Sequence, residues 1–190
     1  DVPAVLGSKA TSMRARLGGI EGRALRAGDR FSVFAPKANP GVRGAAGGDG
    51  GHRAETASHR DDDPVRFVWG IHADLFALAL REKFVTSRFR ITSMMDRMGV
   101  RLRDDSGVFS GAKILSLVSD SVTVGDIQIL GDGVPIVLGR DHQPTGGYPR
   151  IGTVISADLD RFFQKRPNAE VAFSPVGVEH AQALLRSGTP

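Results

Sequence analysis

Short apolar runs separated by turn residues dominate the pattern along the chain. Val65–Trp69, Phe89–Ile91, Ile127–Leu130, Pro135–Leu138, Thr153–Ile155 and Val171–Phe173 are brief and rich in β-branched or aromatic residues, which predicts strands. Phe31–Phe34 and Ile114–Val118 read the same way. In LGDGVPIVL, Asp132 and Gly133 separate two β-like segments and predict a hairpin, because both residue types tolerate the positive φ of a tight turn. Three stretches carry helical spacing instead. Asp74–Phe84 places Leu75, Phe76, Leu78, Ala79 and Leu80 toward one face and leaves Arg81-Glu82-Lys83 exposed. In SADLDRFFQKRP, Ser156 suits the N-cap, Asp158 the positive helix end, and Leu159, Phe162 and Phe163 form a buried stripe before Pro167 ends the helix. Val178–Arg186 carries Ala181, Leu184 and Leu185 on one side. Many strands with a few short helices predict a mainly β fold, a barrel or sandwich flanked or plugged by the helices.

Composition sharpens this picture at one place. The stretch from Lys37 to Pro64 is rich in Gly, Ala and charge and has no large apolar residue beyond Val42, so it cannot bury enough to offset its ordering entropy. It reads as a flexible insertion over 37–64, between residues 1–36, expected to be the N-terminal part of the barrel region, and a main domain 65–190. Across all 190 residues, 41% are hydrophobic and 24% charged, as in soluble globular chains. The net charge of +4 is scattered rather than gathered, and no nucleic-acid partner is expected.

The absence of cysteine excludes disulfides, thiolate nucleophiles and sulfur-ligated zinc. The five histidines have no paired H-x-x-x-H spacing, and Asp61-Asp62-Asp63 reads as a solvated run, so no metal site is expected. No apolar run approaches the roughly 20 residues that span a bilayer, and no charged n-region followed by an apolar h-region opens the given sequence. A cytoplasmic location without membrane contact is the expectation. The start at Asp1, without a methionine, predicts a missing preceding segment.

Chemistry concentrates in RDHQPTGGYPRIGTVISADL, Arg140–Leu159, which holds the only tyrosine. Asp141, Gln143, Thr145, Gly146, Gly147 and Tyr148 form a loop between two strands, and their groups are complementary to an amide. Gln143 donates and accepts, the Thr145 and Tyr148 hydroxyls do the same, and Gly146-Gly147 lets backbone N–H groups approach a carbonyl or oxyanion. Asp141 can accept an N–H or remove a proton. The alternative is a glycine turn whose side chains cap the backbone.

Other candidates carry two readings each. Asp96-Arg97 either orients a carboxylate and carries a proton or is a turn with a solvated ion pair. Gln128 alternates with Ile127 and Ile129: facing inward it needs a partner or ligand, and facing solvent it needs neither. Lys9 either neutralises a carboxylate or phosphate or is solvated. Met94, Met95 and Met98 read as packing.

SMMDRMGVRL (Ser93–Leu102), VGDIQI (Val124–Ile129) and GVPIVLGRDHQPTGGYPRIGTVISADL (Gly133–Leu159) together resemble the carboxyltransferase-domain family. That family includes the C subunit of bacterial 5-oxoprolinase, KipA-like proteins, proteins labelled allophanate hydrolase subunit 2 and part of urea amidolyase. VLGSKATSMRARLGGIEGRALRAGDR (Val5–Arg30) is similar to another of its segments. The chain departs from the family at His142, where Arg is usual, at Pro144 in place of a threonine, and at Gly70-Ile71 in place of Gly-Pro.

The resemblance implies a cyclophilin-like β-barrel, a KipI-like partner sharing the site, and a LamB-like third component. It implies a reaction in which ATP activates the lactam of 5-oxoproline for opening to glutamate. Alternatives are carboxyl transfer from carboxybiotin to urea, or a non-catalytic KipA-like regulator. The implied catalytic residues are Asp96, Arg97, Asp141, Gln143 and Tyr148. Gln128, Thr145, Gly146, Gly147 and Lys9 are the implied substrate contacts. The chain has no G-x-x-x-x-G-K-[ST] segment, so any ATP site is expected to be unconventional or shared with the partners.

Overall fold

A computed structural model describes residues 2–13, 15–32, 62–111 and 116–187. The chain divides into two compact units, Asp1–Gly51 and His52–Pro190. In the first, the described residues form turns held by the bridges Val5↔Ser8 and Ser12↔Leu17. Gly18 and Gly19 have positive φ, and a Cβ on either would collide with Ala10 or Thr11, so only glycine permits this close passage of the chain. Arg23 grips Asp29 with two nitrogens at 2.8 and 2.9 Å. The expected strand Phe31–Phe34 is absent at Phe31 and Ser32, its described part, and most of the expected insertion lies outside the described residues.

The second unit is built on β1 (Val65–Trp69), β2 (Arg88–Met95), β3 (Gly99–Arg103), β4 (Asp120–Ser121), β5 (Asp126–Ile129), β6 (Pro135–Leu138), β7 (Thr145–Gly146), β8 (Arg150–Val154) and β9 (Glu170–Pro175). Seven of them close into a barrel in the order β1-β8-β5-β6-β3-β2-β9, and β4 pairs β7 in a separate ribbon. The barrel closes through a parallel β1–β9 pair, with Val65 opposite Phe173. The described residues are mainly β with three α-helices, as the strand-rich pattern predicts, and the closed barrel is the first of the two architectures that pattern left open and the one the resemblance implies.

Strand alternation sends Val65, Phe67, Phe89, Ile91, Val100, Leu102, Ile127, Ile129, Val171 and Phe173 into one buried cluster. Phe84, from α1 (Leu78–Thr86), joins them with ring centroids 5.2 Å from Phe173 and 5.5 Å from both Phe67 and Phe89.

The helix expected over Asp74–Phe84 is broken. A 3-10 turn occupies Ala73–Leu75, Phe76 and Ala77 are extended, and α1 starts at Leu78. Phe76 turns into the core beside Phe109, with ring centroids 6.1 Å apart. Leu75 and Leu78 of the expected buried face are each 63% exposed.

α2 (Ser156–Phe163) begins one residue earlier than a Ser156 cap would place it: Ile155 is the N-cap, with no side-chain cap bond, and Ser156 is the first helical residue. Asp158 is fully buried. It accepts from the Arg66 backbone N–H at 2.7 Å and from Arg161 at 2.9 Å, and it pairs with the Arg66 guanidinium, so it ties α2 to β1. Burial raises the Asp158 pKa, but hydrogen bonds from Arg66 and the charge of Arg161 outweigh that and hold it below the ordinary carboxylate value.

The Asp132-Gly133 hairpin forms between β5 and β6, with Gly133 alone at positive φ (83°) and the Leu130 N–H donating to the Val134 carbonyl at 3.0 Å. This is the longer turn with a glycine bulge rather than a two-residue turn. No strand forms at 116–118, the described part of Ile114–Val118. β3 lies where the apolar pattern predicts no strand. Met95 packs on the core, whereas Met94 is 62% exposed and does not pack as expected.

Candidate functional site

Asp126 and Gln128 lie on the outer face of β5, yet each is only 1% exposed. The β4–β7 ribbon covers them. A Cβ on Gly146 would stand 2.7 Å from Gln128 Nε2, and one on Gly147 would stand 2.9 Å from the Leu117 carbonyl. Neither glycine has positive φ, so they are required for close approach rather than for backbone conformation. The room they leave is occupied by this chain's own groups. Gln128 Nε2 donates to the Tyr148 carbonyl at 3.5 Å, which makes it a support beneath the loop.

Arg150 binds the layer together. Its guanidinium donates to the Ser121 carbonyl at 2.8 Å, to Asp120 at 2.7 Å and to Asp126 at 3.4 Å. Asp126 also accepts from Thr153 Oγ1 at 2.6 Å and the Thr123 N–H at 2.9 Å. The Arg150 backbone N–H donates to His72 Nδ1 at 3.3 Å. Burial first, and the Arg150 charge second, hold His72 below the ordinary imidazole pKa. Sequence reasoning singled out none of Asp120, Asp126, Arg150, Thr153 or His72. The available signal was that Asp126 shares the face of Gln128 in GDIQI and that Arg150 follows Pro149.

The remaining candidates divide between two ends of the barrel. Arg97 and Asp141 form a bidentate pair, both contacts 2.7 Å, and the Asp141 N–H donates to the Arg97 carbonyl at 2.7 Å. The β2–β3 turn and the loop after β6 are thereby joined. Asp96 Oδ1 accepts the N–H groups of Met98 and Gly99 at 2.8 and 3.2 Å, so this carboxylate shapes the turn. The hydrogen bond from Arg97 holds Asp141 below the ordinary carboxylate pKa, which weakens it as a proton acceptor.

Tyr148 is 39% exposed, and its ring lies 4.0 Å from a Cβ built on Gly131, in the β5–β6 turn. β5 and β6, strands of about 13 Å, separate that turn from the Arg97–Asp141 pair. Gln143 and Thr145 are exposed. His142 Nδ1 lies 2.6 Å from the Gln143 carbonyl. Lys9 is exposed within the first unit.

Among the described residues, no group of three or more His, Asp or Glu can hold a metal ion, and no helix is long and apolar enough to cross a membrane. The layer's exposed polar side chains are Gln143, Thr145 and Tyr148, with the half-exposed Asp120 carboxylate beside them on β4, groups able to donate to and accept from an amide.

A closed β-barrel with a braced polar loop across one face defines the class. The carboxyltransferase domain, subdomains A and B, matches residues 1–175, and the chain belongs to that family. It is 31% identical over 185 residues to the C subunit of the 5-oxoprolinase of Haemophilus influenzae, a match covering 97% of this chain and 56% of that protein. It is 28% identical over 202 residues to the urea amidolyase of Lachancea kluyveri, covering 98% of this chain and 11% of that protein. The crystal structure of the K. lactis urea amidolyase superposes with a TM-score of 0.68 at 26% identity, covering 98% of this chain and 12% of that one. The chain therefore spans about half the length of the 5-oxoprolinase proteins it matches, 56% and 54%.

Proposed function

We propose that this chain contributes to the C subunit of an ATP-dependent 5-oxoprolinase, which opens the lactam of 5-oxoproline to glutamate at an interface with a KipI-like partner, a LamB-like third component completing the assembly. The observation that carries this reading is the braced Gln143–Tyr148 loop, whose outward polar groups match an amide. Gln143, Thr145 and Tyr148 orient the lactam, and Gly146 and Gly147 let the loop sit close to the barrel. Arg97 and Asp141, engaged with each other, serve as an orienting pair. ATP is shared with the partner proteins, this chain having no phosphate-binding glycine loop of its own. The 31% identity to two bacterial proteins named for the C subunit of 5-oxoprolinase supports this reading over a urea carboxylase.

The test is glutamate release from 5-oxoproline and ATP by the full chain assembled with its partners. Gln143→Ala and Tyr148→Phe should each raise the barrier by about 2–4 kcal/mol with little change in melting temperature. Full activity in both variants would favour the KipA-like regulator. Biotin-dependent carboxylation of urea, without glutamate release, would assign the assembly to the urea pathway.

A further inference from the structure

His72 is held against the start of β8 by a close passage of the chain that leaves β1. Gly70 donates its N–H to the Ile151 carbonyl at 2.9 Å, and a Cβ on Gly70 would stand 2.5 Å from the Arg150 carbonyl, so only glycine lets the chain pass so near. The Ala73 N–H then donates to the Gly70 carbonyl, and the Leu75 N–H to the His72 carbonyl, both at 3.0 Å. The His72 backbone is thus fixed on either side of its half-buried ring.

The fold uses only one edge of that ring. His72 Nδ1 takes the Arg150 N–H at 3.3 Å. A backbone N–H can only donate, so Nδ1 is bare, and in the neutral ring the proton sits on Nε2. Burial first and the Arg150 charge second favour that neutral ring, against the opposing charges of Asp120 and Asp126. Nε2–H meets no acceptor among the described residues and is open to solvent. An asparagine would serve Arg150 equally well, since its carbonyl can stand where Nδ1 stands. The outward N–H is surplus to the fold.

Its position joins it to the polar layer. Arg150 follows Tyr148 by two residues, and its guanidinium holds Asp120 and the Ser121 carbonyl, the residues of β4 that pair with Gly146 and Thr145. His72 therefore flanks the same layer from the side of β1.

We infer that His72 Nε2–H donates to the carbonyl oxygen of the substrate amide, a neutral donor aimed at the charge that grows on that oxygen during attack. This deepens the 5-oxoprolinase reading and rests on it for the placement of the lactam at the Gln143–Tyr148 loop. With Nδ1 committed to Arg150 and Nε2 already protonated, the ring polarises the carbonyl and does not act as a base.

The test uses the full chain assembled with its partners, with isotope-labelled histidine read by nitrogen NMR. The probes are 5-oxoproline and urea, which both carry an amide-type carbonyl, and proline, which lacks the lactam carbonyl. His72 should show the Nε2–H tautomer, and saturating 5-oxoproline should move its Nε2 resonance where proline does not. His72→Asn keeps an acceptor for the Arg150 N–H. It should keep its melting temperature at pH 7 while kcat for glutamate release falls roughly a hundredfold, with little change in KM. His72→Gln, whose longer amide reaches the Nε2 position, should recover part of that loss. An Nε2 resonance unmoved by either amide, or losses in both variants that follow melting temperature, overturns the role of His72. Glutamate release at the wild-type rate by His72→Asn removes His72 alone. An Nε2 response to urea, without one to 5-oxoproline and without glutamate release, removes the 5-oxoprolinase reading and keeps His72.

Discussion

Arg150 shows how much of the candidate site depends on one side chain outside the loop itself. Replacing it with Gln removes donors from Asp120, Ser121 and Asp126 together, while Asp126 keeps Thr123 and Thr153. The expected cost is about 2 kcal/mol in chemical unfolding, and glutamate release by the proposed assembly should fall further than stability accounts for, because the ribbon loses its anchor. His72 adds a pH dependence. Its folded pKa lies below the unfolded value of about 6.5, so its contribution is complete above that value and declines as pH falls below it, as the unfolded state takes up the proton first. Wild type should lose more unfolding free energy between pH 7 and 5 than His72→Asn, and parallel curves for the two proteins would remove His72 as the cause. Gln128 was legible as a residue needing a partner if it faced inward. It faces outward and is buried all the same, because the covering ribbon comes from residues 120–146, which the period-two pattern of β5 cannot reveal.

At the scale of elements, α1 contributes chiefly through Phe84. Phe84→Ala should destabilise by about 3–5 kcal/mol, the usual range for an aromatic removed from a packed core, whereas Leu78→Ala, at a 63% exposed position, should change stability by less than about 0.5 kcal/mol. Thermal unfolding of the pair separates them, and equal losses would contradict the packing described. The apolar spacing of residues 75–80 could not show this, since Phe76 leaves the helical path to reach Phe109 and the helix buries a different face. Strands with consecutive apolar residues, such as β1, β6 and β9, were readable. β3 was not, because Arg101 and Arg103 alternate with Val100 and Leu102 and give a short, strongly charged segment whose strand character depends on pairing with β2 and β6.

For the whole molecule, all seven barrel strands lie between Val65 and Pro175, so a chain beginning at His52 should retain a single cooperative thermal transition. Broad, non-cooperative melting would show that the first unit is required for the barrel. The mainly β character of this span was legible in its short apolar runs. The closing pair was not, because nothing local in VRFVW indicates that its parallel neighbour lies more than a hundred residues later. That pairing has a consequence for synthesis. β9 inserts between β1 and β2, parallel to one and antiparallel to the other, so until the ribosome has released residues 170–175 both earlier strands present open edges, the kind that recruit other chains. The most vulnerable form of this protein is therefore a nascent chain that still lacks β9, and a stop codon just before Glu170 should be far more harmful to solubility than one just after Pro175.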